Sequence, residues 1–273
     1  MKIEQLQILY SKALKQIKQN ELQKTTHFVY PFLQRAADWK EIIFSIRSIE
    51  KYYQGKFHIF IIGDLPPAIN ANKITFIPSS CIANKDGSQP IDIVKKLNKV
   101  IADKRINENF VWMNDDIYFM NPVFYEDIAI LKAIENLDLI RKSVKTPYRD
   151  NLWNTYNVLK SNNCPVWNYG THLPFVYNKK NMKLLIEKFN LAKKPLLISS
   201  LYHNYFFQKA IPMLLNLPTD NIKVAVYRKD PDINMLKKYL KTKKFFNHSQ
   251  TGFSDAIKNI LLISFPDKSS FEI

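Results

Sequence analysis

Phe110-Val111-Trp112-Met113-Asn114-Asp115-Asp116-Ile117-Tyr118-Phe119-Met120 is the stretch on which the reading of this chain turns. The apolar run Phe110 to Met113 predicts a buried strand, and it stops abruptly at Asn114-Asp115-Asp116 before apolar residues resume. Adjacent carboxylates inside so apolar a segment are costly unless positive charge sits against them. A divalent cation is one answer, because Mg2+ and Mn2+ prefer oxygen ligands and commonly hold substrate phosphates as well. The other answer is a strand-ending turn whose Asp and Asn cap a following helix. In an open α/β sheet, ligands bind at the carboxyl ends of the strands, where these acids fall.

Upstream, the pattern alternates. Residues 1–24 carry apolar positions Ile3, Leu6, Leu9, Tyr10, Leu14 and Ile17 at near-helical spacing, predicting an amphipathic N-terminal helix over 1–25. Thr26 to Phe32 predicts the first strand. Asp38 is a candidate N-cap for a helix running through Ile42, Ile46, Ile49 and Tyr53, which Gly55 stops. Lys56 to Ile62 and Ile74 to Ile77 predict two further strands; the loop Ser79 to Pro90 leads into a helix over Ile91 to Ala102, and the acid-bearing strand follows. This order predicts an α/β fold with a mostly parallel, doubly wound sheet flanked by helices. The chain has only five glycines, with no Gly-x-Gly-x-x-Gly and no Gly-Lys-Ser/Thr loop, which argues against a Rossmann dehydrogenase or a P-loop NTPase.

The second half is less regular. Helices are expected over Tyr125 to Leu139, Lys179 to Asn190, Leu196 to Met213, Asp232 to Leu240 and Ser254 to Ile263. Strands are expected at the end of Asn168 to Tyr177 and over Asp220 to Tyr227, and a strand or loop over Phe245 to Gly252. Arg141 to Asn168 shows no clear period, and its Trp153, Tyr156 and Trp167 are either a stacking face or core. One domain is expected over 26–273, its two halves meeting at about residue 122.

At 273 residues and 46% apolar content the chain can bury a full core. No run approaches the roughly 18 apolar residues of a membrane span, and the N-terminus lacks the apolar centre of a signal peptide. Two cysteines, Cys81 and Cys164, with no metal-binding spacing fit a reducing cytoplasm. The formal charge of +16 comes mostly from lysines spread along the chain. It favours nucleic acid, anionic lipid headgroups or phosphate-bearing substrates, or it is a solvated lysine surface without a partner.

These features together resemble the GT-A nucleotide-sugar transferases, in which an Asp-x-Asp motif at a strand end holds a metal-bound nucleotide diphosphate; Asn114-Asp115-Asp116 matches with Asp116 last. More specifically, Asp38-Trp39-Lys40-Glu41, Ser45-Ile46-Arg47-Ser48-Ile49-Glu50-Lys51-Tyr52, the stretch Asn109 to Phe119, Thr171-His172-Leu173-Pro174-Phe175 and the Phe265-Pro266-Asp267-Lys268-Ser269-Ser270-Phe271-Glu272 tail resemble, in that order, the Stealth-type capsule proteins and related bacterial and phage glycosyltransferases. Where Stealth proteins have a Tyr-Thr-Trp-Val-Asp-Gly-like strand end, this chain has Val29-Tyr30-Pro31-Phe32, which favours ordinary glycosyl transfer over sugar-phosphate transfer.

The resemblance implies Mn2+ or Mg2+ on Asp116, with Asp115 and His248 as further ligands. Asn114 and Asp115 would contact the donor together with Tyr30, Arg35, Arg47, Asp64 and Lys96. Arg suits bidentate phosphate binding, although Arg47 in an apolar helix also reads as a structural arginine. His172, opening an apolar strand, suits a base that deprotonates an acceptor hydroxyl, and Asp150 is its rival. His27, His58 and His203 read as structural. The expected partners are a nucleotide-sugar donor and a surface glycan or lipid-linked acceptor, with attachment to an anionic inner membrane leaflet following from the charge. The alternatives are a phage-type enzyme glycosylating hydroxymethylated DNA bases, a Stealth-like sugar-phosphate transferase, and a non-catalytic basic nucleic-acid-binding protein.

Overall fold

A computed structural model describes residues 25–37, 39–80, 89–139 and 147–273. The chain runs through β1 (Thr26–Phe32), a 3-10 turn at Gln34–Ala36, α1 (Glu41–Tyr52), β2 (Phe57–Gly63), β3 (Thr75–Pro78), α2 (Gln89–Ala102) and β4 (Asn109–Trp112). Then come β5 (Ile117–Phe119), α3 (Tyr125–Ala129), β6 (Lys132–Ala133), a 3-10 turn at Leu137–Leu139, α4 (Pro147–Ser161), β7 (Phe175–Asn178) and α5 (Lys179–Phe189). It closes with α6 (Ile198–Phe206), β8 (Met213–Leu214), β9 (Lys223–Val226), α7 (Ile233–Leu240), β10 (Phe245–His248), a 3-10 turn at Gln250–Gly252 and α8 (Asp255–Ser264).

The main sheet has the order β3-β2-β1-β4-β7. Strands β1 to β4 are parallel, and β7 joins antiparallel to β4 with Trp112 opposite Phe175. Successive residues supply opposite faces, as strand geometry requires. Val29, Phe60, Ile62, Phe110 and Trp112 pack on one side with α2, α4, α5 and α6, while Phe28, Tyr30, Ile59, Ile61, Val111 and Met113 pack on the other with α1. Because both faces are covered, these strands read as continuous apolar runs. From β1 the chain builds outward through β2 and β3, then α2 carries it back across to β4. The strand order therefore reverses between β1 and β4, and a crevice opens at their carboxyl ends.

A second sheet, β5-β10-β9, begins where β4 ends. Its β5 pairs antiparallel with β10, placing Ile117 opposite Asn247, and β10 runs parallel to β9. Tyr118, Val224, Val226 and Phe246 pack on Leu236 of α7 and on Ile257, Ile260 and Leu261 of α8, whereas Ile117, Phe119 and Phe245 turn toward α1. The acidic turn is thus the step by which the chain passes from one sheet into the other. This explains why apolar residues resume at once, and it replaces the helix that the capping reading expected with a strand.

Several expectations are corrected. Tyr125 to Leu139 is not one helix: α3 lasts five residues, after which Lys132 and Ala133 pair in parallel with Met213 and Leu214. The same pairing cuts short the helix expected over Leu196 to Met213, since α6 ends at Phe206 and Pro212 precedes β8. Conversely, a 15-residue helix, α4, occupies part of the stretch that showed no period; Leu152 and Leu159 anchor it in the core. The N-terminal helix, Asp38 and Cys81 lie outside the described residues; α1 has Lys40 at its N-cap, and Cys164 is a buried free thiol. Among the described residues, no helix is long and apolar enough to cross a membrane.

Candidate active site

The acids sit where the strand order reverses. The ladder puts Trp112 beside Val29, the Met113 amide donates to the Val29 carbonyl, and Asn114-Asp115-Asp116 then leaves the sheet as a turn. Glu41, buried in the first turn of α1, faces the same turn, with a carboxylate oxygen accepting from the Trp39 amide at 2.8 Å. Burial, and then the charges of Asp116 and Glu41, push the Asp115 carboxyl up to about 7. Two buried phenols floor the cluster. The Tyr30 and Ser45 hydroxyls are hydrogen-bonded at 2.8 Å, and the Tyr118 hydroxyl donates to His248 Nε2 at 3.0 Å. Burial and the neighbouring acids raise both phenols above their ordinary range, so they are neutral hydrogen-bonding groups.

His172 closes the site from the far side of the sequence. Its Nε2–H donates to both Asp116 oxygens, at 2.8 and 2.9 Å, and the Asn114 amide lies 3.2 Å from the same nitrogen. Asp116 is 19% exposed and His172 35%, so the pair is reachable from solvent. His172 holds a left-handed backbone, φ 52°; the other non-glycine residues with positive φ among those described are Asn163 and Asn190. A histidine there carries strain of the kind that clusters at functional sites. Beside the pair is a cavity of about 220 Å3 lined by Asn114, His172, Trp112, Tyr148, Phe175 and Leu197.

Three contributors were not singled out from the sequence: Glu41, Lys223 and Tyr227. Lys223 Nζ donates to the Thr171 carbonyl, the residue before His172, and lies 3.3 Å from the Tyr227 hydroxyl. Burial pulls the Lys223 ammonium down to about 8, against the opposing pull of Asp116. The available signal was strand alternation: Lys223 and Ala225 share one face of β9, opposite Val224 and Val226, and Tyr227 follows directly after the strand.

The remaining candidates are dispersed. Arg47 is held on three sides by the C-terminal tail, donating from Nε and Nη2 to Glu272 at 2.7 Å and from Nη1 to the Phe265 carbonyl at 2.8 Å. The structural reading of Arg47 therefore replaces the diphosphate clamp. Lys96 is buried against Asp92 at 2.5 Å, with its Cε beside Gly63 at the end of β2. Asp64 accepts from the Gln34 amide at 2.9 Å, which ties the loop after β2 to the exposed turn bearing Arg35. Asp150 is exposed on the first turn of α4. His248 points its Nε2 at Tyr118 and stacks on Tyr118 and Phe253, so its ring is engaged by the core rather than turned out as a third ligand. Trp153 and Tyr156 contact each other edge-on against the core, and Trp167 is paired with Asn204.

Among the described residues, no three His, Cys, Asp or Glu side chains converge as a ready metal cage. Mg2+ and Mn2+ do not need one, since they are commonly held by one or two carboxylates plus substrate phosphates. Asp115 and Asp116 offer hard oxygen donors in a turn where acidic charge already crowds, and this donor chemistry suits such a cation.

No protein-family model matches the chain, and no curated protein matches it. A solved structure described as that of a glycosyltransferase involved in the glycosylation of the major capsid of PBCV-1 is similar to it, with a TM-score of 0.40 and 10% identity over 82% of this chain and 93% of that one. At that distance the likeness decides nothing about chemistry, which rests on the side chains in the crevice.

Proposed function

We propose that the chain is a glycosyltransferase that moves a sugar from a nucleotide-sugar donor to a hydroxyl acceptor at the Asn114-Asp115-Asp116 turn. The observation that carries the reading is the pairing of Asp116 with His172 at the strand-order reversal, beside half-buried Asp115 and buried Glu41. Asp116, with Asp115, would hold Mn2+ or Mg2+ together with the donor diphosphate. Bound there, the cation would supply Lewis-acid stabilisation of the leaving group. Asn114 would meet the ribose, and Arg35, Asp64 and Lys96 would border the nucleotide from the loops and helix around β1 and β2.

His172 is the proposed base. With Nε2–H donating to Asp116, Nδ1 carries the lone pair. The acceptor hydroxyl proton passes to that nitrogen as its oxygen bonds to the anomeric carbon, and the bond from that carbon to the diphosphate oxygen breaks. Asp116 fixes the tautomer and steadies the imidazolium that forms, as the carboxylate partner of a catalytic histidine does. The acceptor class proposed is a surface glycan or its lipid-linked precursor.

The test is thermal unfolding with a panel of nucleotide sugars, each with and without Mn2+, repeated on Asp116→Ala. A donor at a hundredfold excess over Kd stabilises the native state by about 2.7 kcal/mol. A metal-dependent shift for one donor that disappears in Asp116→Ala is the expected result. No shift with any donor sinks the proposal and turns attention to the nucleic-acid alternative, for which the +16 charge speaks.

A further inference from the structure

A larger cavity, about 490 Å3, lies along the outer edge of β7 and shares Leu173 and Phe175 with the smaller one. Its size is within the usual range of small-molecule sites. The walls are the free side of β7, the chain from Ile128 at the end of α3 to Lys132 in β6, and one face of α6. Tyr169, Phe175, Tyr202 and Phe207 give it an aromatic lining. Among the described lining residues the charged ones are Lys132 and Lys180, and none is a carboxylate.

Two polar groups in the wall are poorly satisfied. Lys132 is only 5% exposed, and its ammonium donates to the Ile130 carbonyl at 2.7 Å and, weakly, to the Ile128 carbonyl at 3.5 Å. An ammonium has three donors, and among the described residues no carboxylate lies within ion-pairing distance of this one. An opposite charge does act on it from Asp127, but that carboxylate is already held by Lys244 at 2.5 Å. Burial pulls the Lys132 ammonium down to about 8, against the pull of Asp127 and helped by the Lys244 charge. Thr171 is fully buried, and its hydroxyl has no hydrogen-bond partner among the described residues. Groups of this kind are rare in native structures unless a water, ion or ligand completes them. His203 donates from Nδ1 to the Ser199 carbonyl, so its neutral ring leaves Nε2 as an acceptor for a ligand hydroxyl.

We infer that this cavity is a second ligand site, taking a small amphipathic anion: a phosphate or carboxylate head against Lys132 and Thr171, with an aromatic or aliphatic body on Tyr202 and Phe207. Lys180 stands exposed in the lining and attracts the anion. The site backs onto the proposed catalytic loop, because Thr171 and Leu173, in its wall, flank His172. It does not depend on the glycosyl-transfer reading.

Calorimetric titration of the full chain tests it. Phenyl phosphate and phenylacetate probe the two head groups, and inorganic phosphate and benzyl alcohol probe the halves of the ligand. At least one aryl anion binds one-to-one, tenfold or more tighter than either half. Lys132→Met weakens that binding at least tenfold, and Asp116→Asn leaves it within twofold, which separates the cavity from the acidic turn. Should Lys132→Met fail to fold, Lys180→Ala and Thr171→Val each weaken binding at least threefold. The inference is overturned if neither aryl anion binds, if inorganic phosphate binds as tightly, if binding survives these substitutions, or if Asp116→Asn removes it.

Discussion

His172 carries two separable loads, a backbone in the left-handed region and a ring on Asp116. His172→Ala removes the ring and keeps the strain, whereas His172→Gly removes both. The left-handed region costs a residue with a Cβ about 1 kcal/mol or more. The glycine variant is therefore expected to unfold at higher urea than the alanine variant by about that amount, while both lose activity alike. With the donor identified, kcat should fall by roughly 100-fold to 10,000-fold, the range for loss of a general base, with KM little changed. Equal losses in kcat and kcat/KM, read from initial rates, are the signature of an interaction made in the transition state. A variant retaining most of its kcat would transfer the role to Asp150. His203 gives a prediction of another kind. Burial first, opposed by the Ser199 carbonyl, and then the Lys132 charge hold its imidazole at about 4, against an ordinary value of 6.5. The folded state thus favours the neutral ring. Above pH 6.5 the ring is neutral folded or unfolded and stability is full; as pH falls toward 4 the unfolded chain takes the proton first and stability is lost. The shift corresponds to about 3 kcal/mol across that window. Urea midpoints at pH 7 and pH 5 should show the decline, and His203→Gln should remove this contribution to it.

At the scale of elements, α1 joins the acidic turn to the C-terminal tail. Its Glu41 faces the acids, and the Ser45 and Ser48 hydroxyls bond the backbone at Ile117 and Phe119 of β5. On the helix, Arg47 grips Glu272, and Glu50 accepts from the Ser270 amide at 3.1 Å. Removing one partner of a buried ion pair costs about 3 kcal/mol or more, because the other charge is left desolvated, whereas replacing both by apolar residues costs far less. Glu272→Ala should therefore lower the urea midpoint by more than the double replacement Arg47→Met with Glu272→Met. A double change as damaging as the single ones would mean that the pair contributes net stability beyond mutual neutralisation. How legible these elements were follows from their lengths. Strands β1, β2 and β4 and helices α1 and α2 were readable because each is a sustained local pattern, apolar on both faces for the strands and on a stripe for the helices. The two-residue strands β6 and β8 have no local signature, since they exist only by pairing with each other across about 80 residues. The acids and His172 were readable because polar groups broke an apolar pattern. Glu41 read as an ordinary first-turn acid of a helix, and Lys223 as one lysine among many. Only the packing of α1 and β9 against the turn gives them a role.

For the whole molecule, what a partner meets depends on where the cations behind the formal charge of +16 lie. Lys96, Lys132, Lys179 and Lys243 are buried. Lys96 and Lys243 are paired with Asp92 and Asp220, and Lys179 donates to the Asp103 and Ile106 carbonyls at 2.6 Å. At the surface, Lys95 and Lys99 bond the Ser80 and Pro78 carbonyls. Several lysines are thus part of how the fold holds its loops, and the two ion pairs cancel inside the net charge of +16 without lowering it. A protein that neutralises Z phosphates of duplex DNA loses affinity with salt at a log–log slope of about −0.9Z. With its cations dispersed and partly internal, this chain should bind duplex DNA only weakly, with a slope no steeper than about −3, corresponding to some three phosphates. Fluorescence anisotropy of a labelled duplex titrated at several salt concentrations measures that slope directly. A slope of about −6 or steeper would require a concentrated basic face. It would favour a DNA-directed transferase or binder over an enzyme of surface glycans. A shallow slope alongside metal-dependent donor binding would instead assign the positive charge to loop architecture and a donor diphosphate.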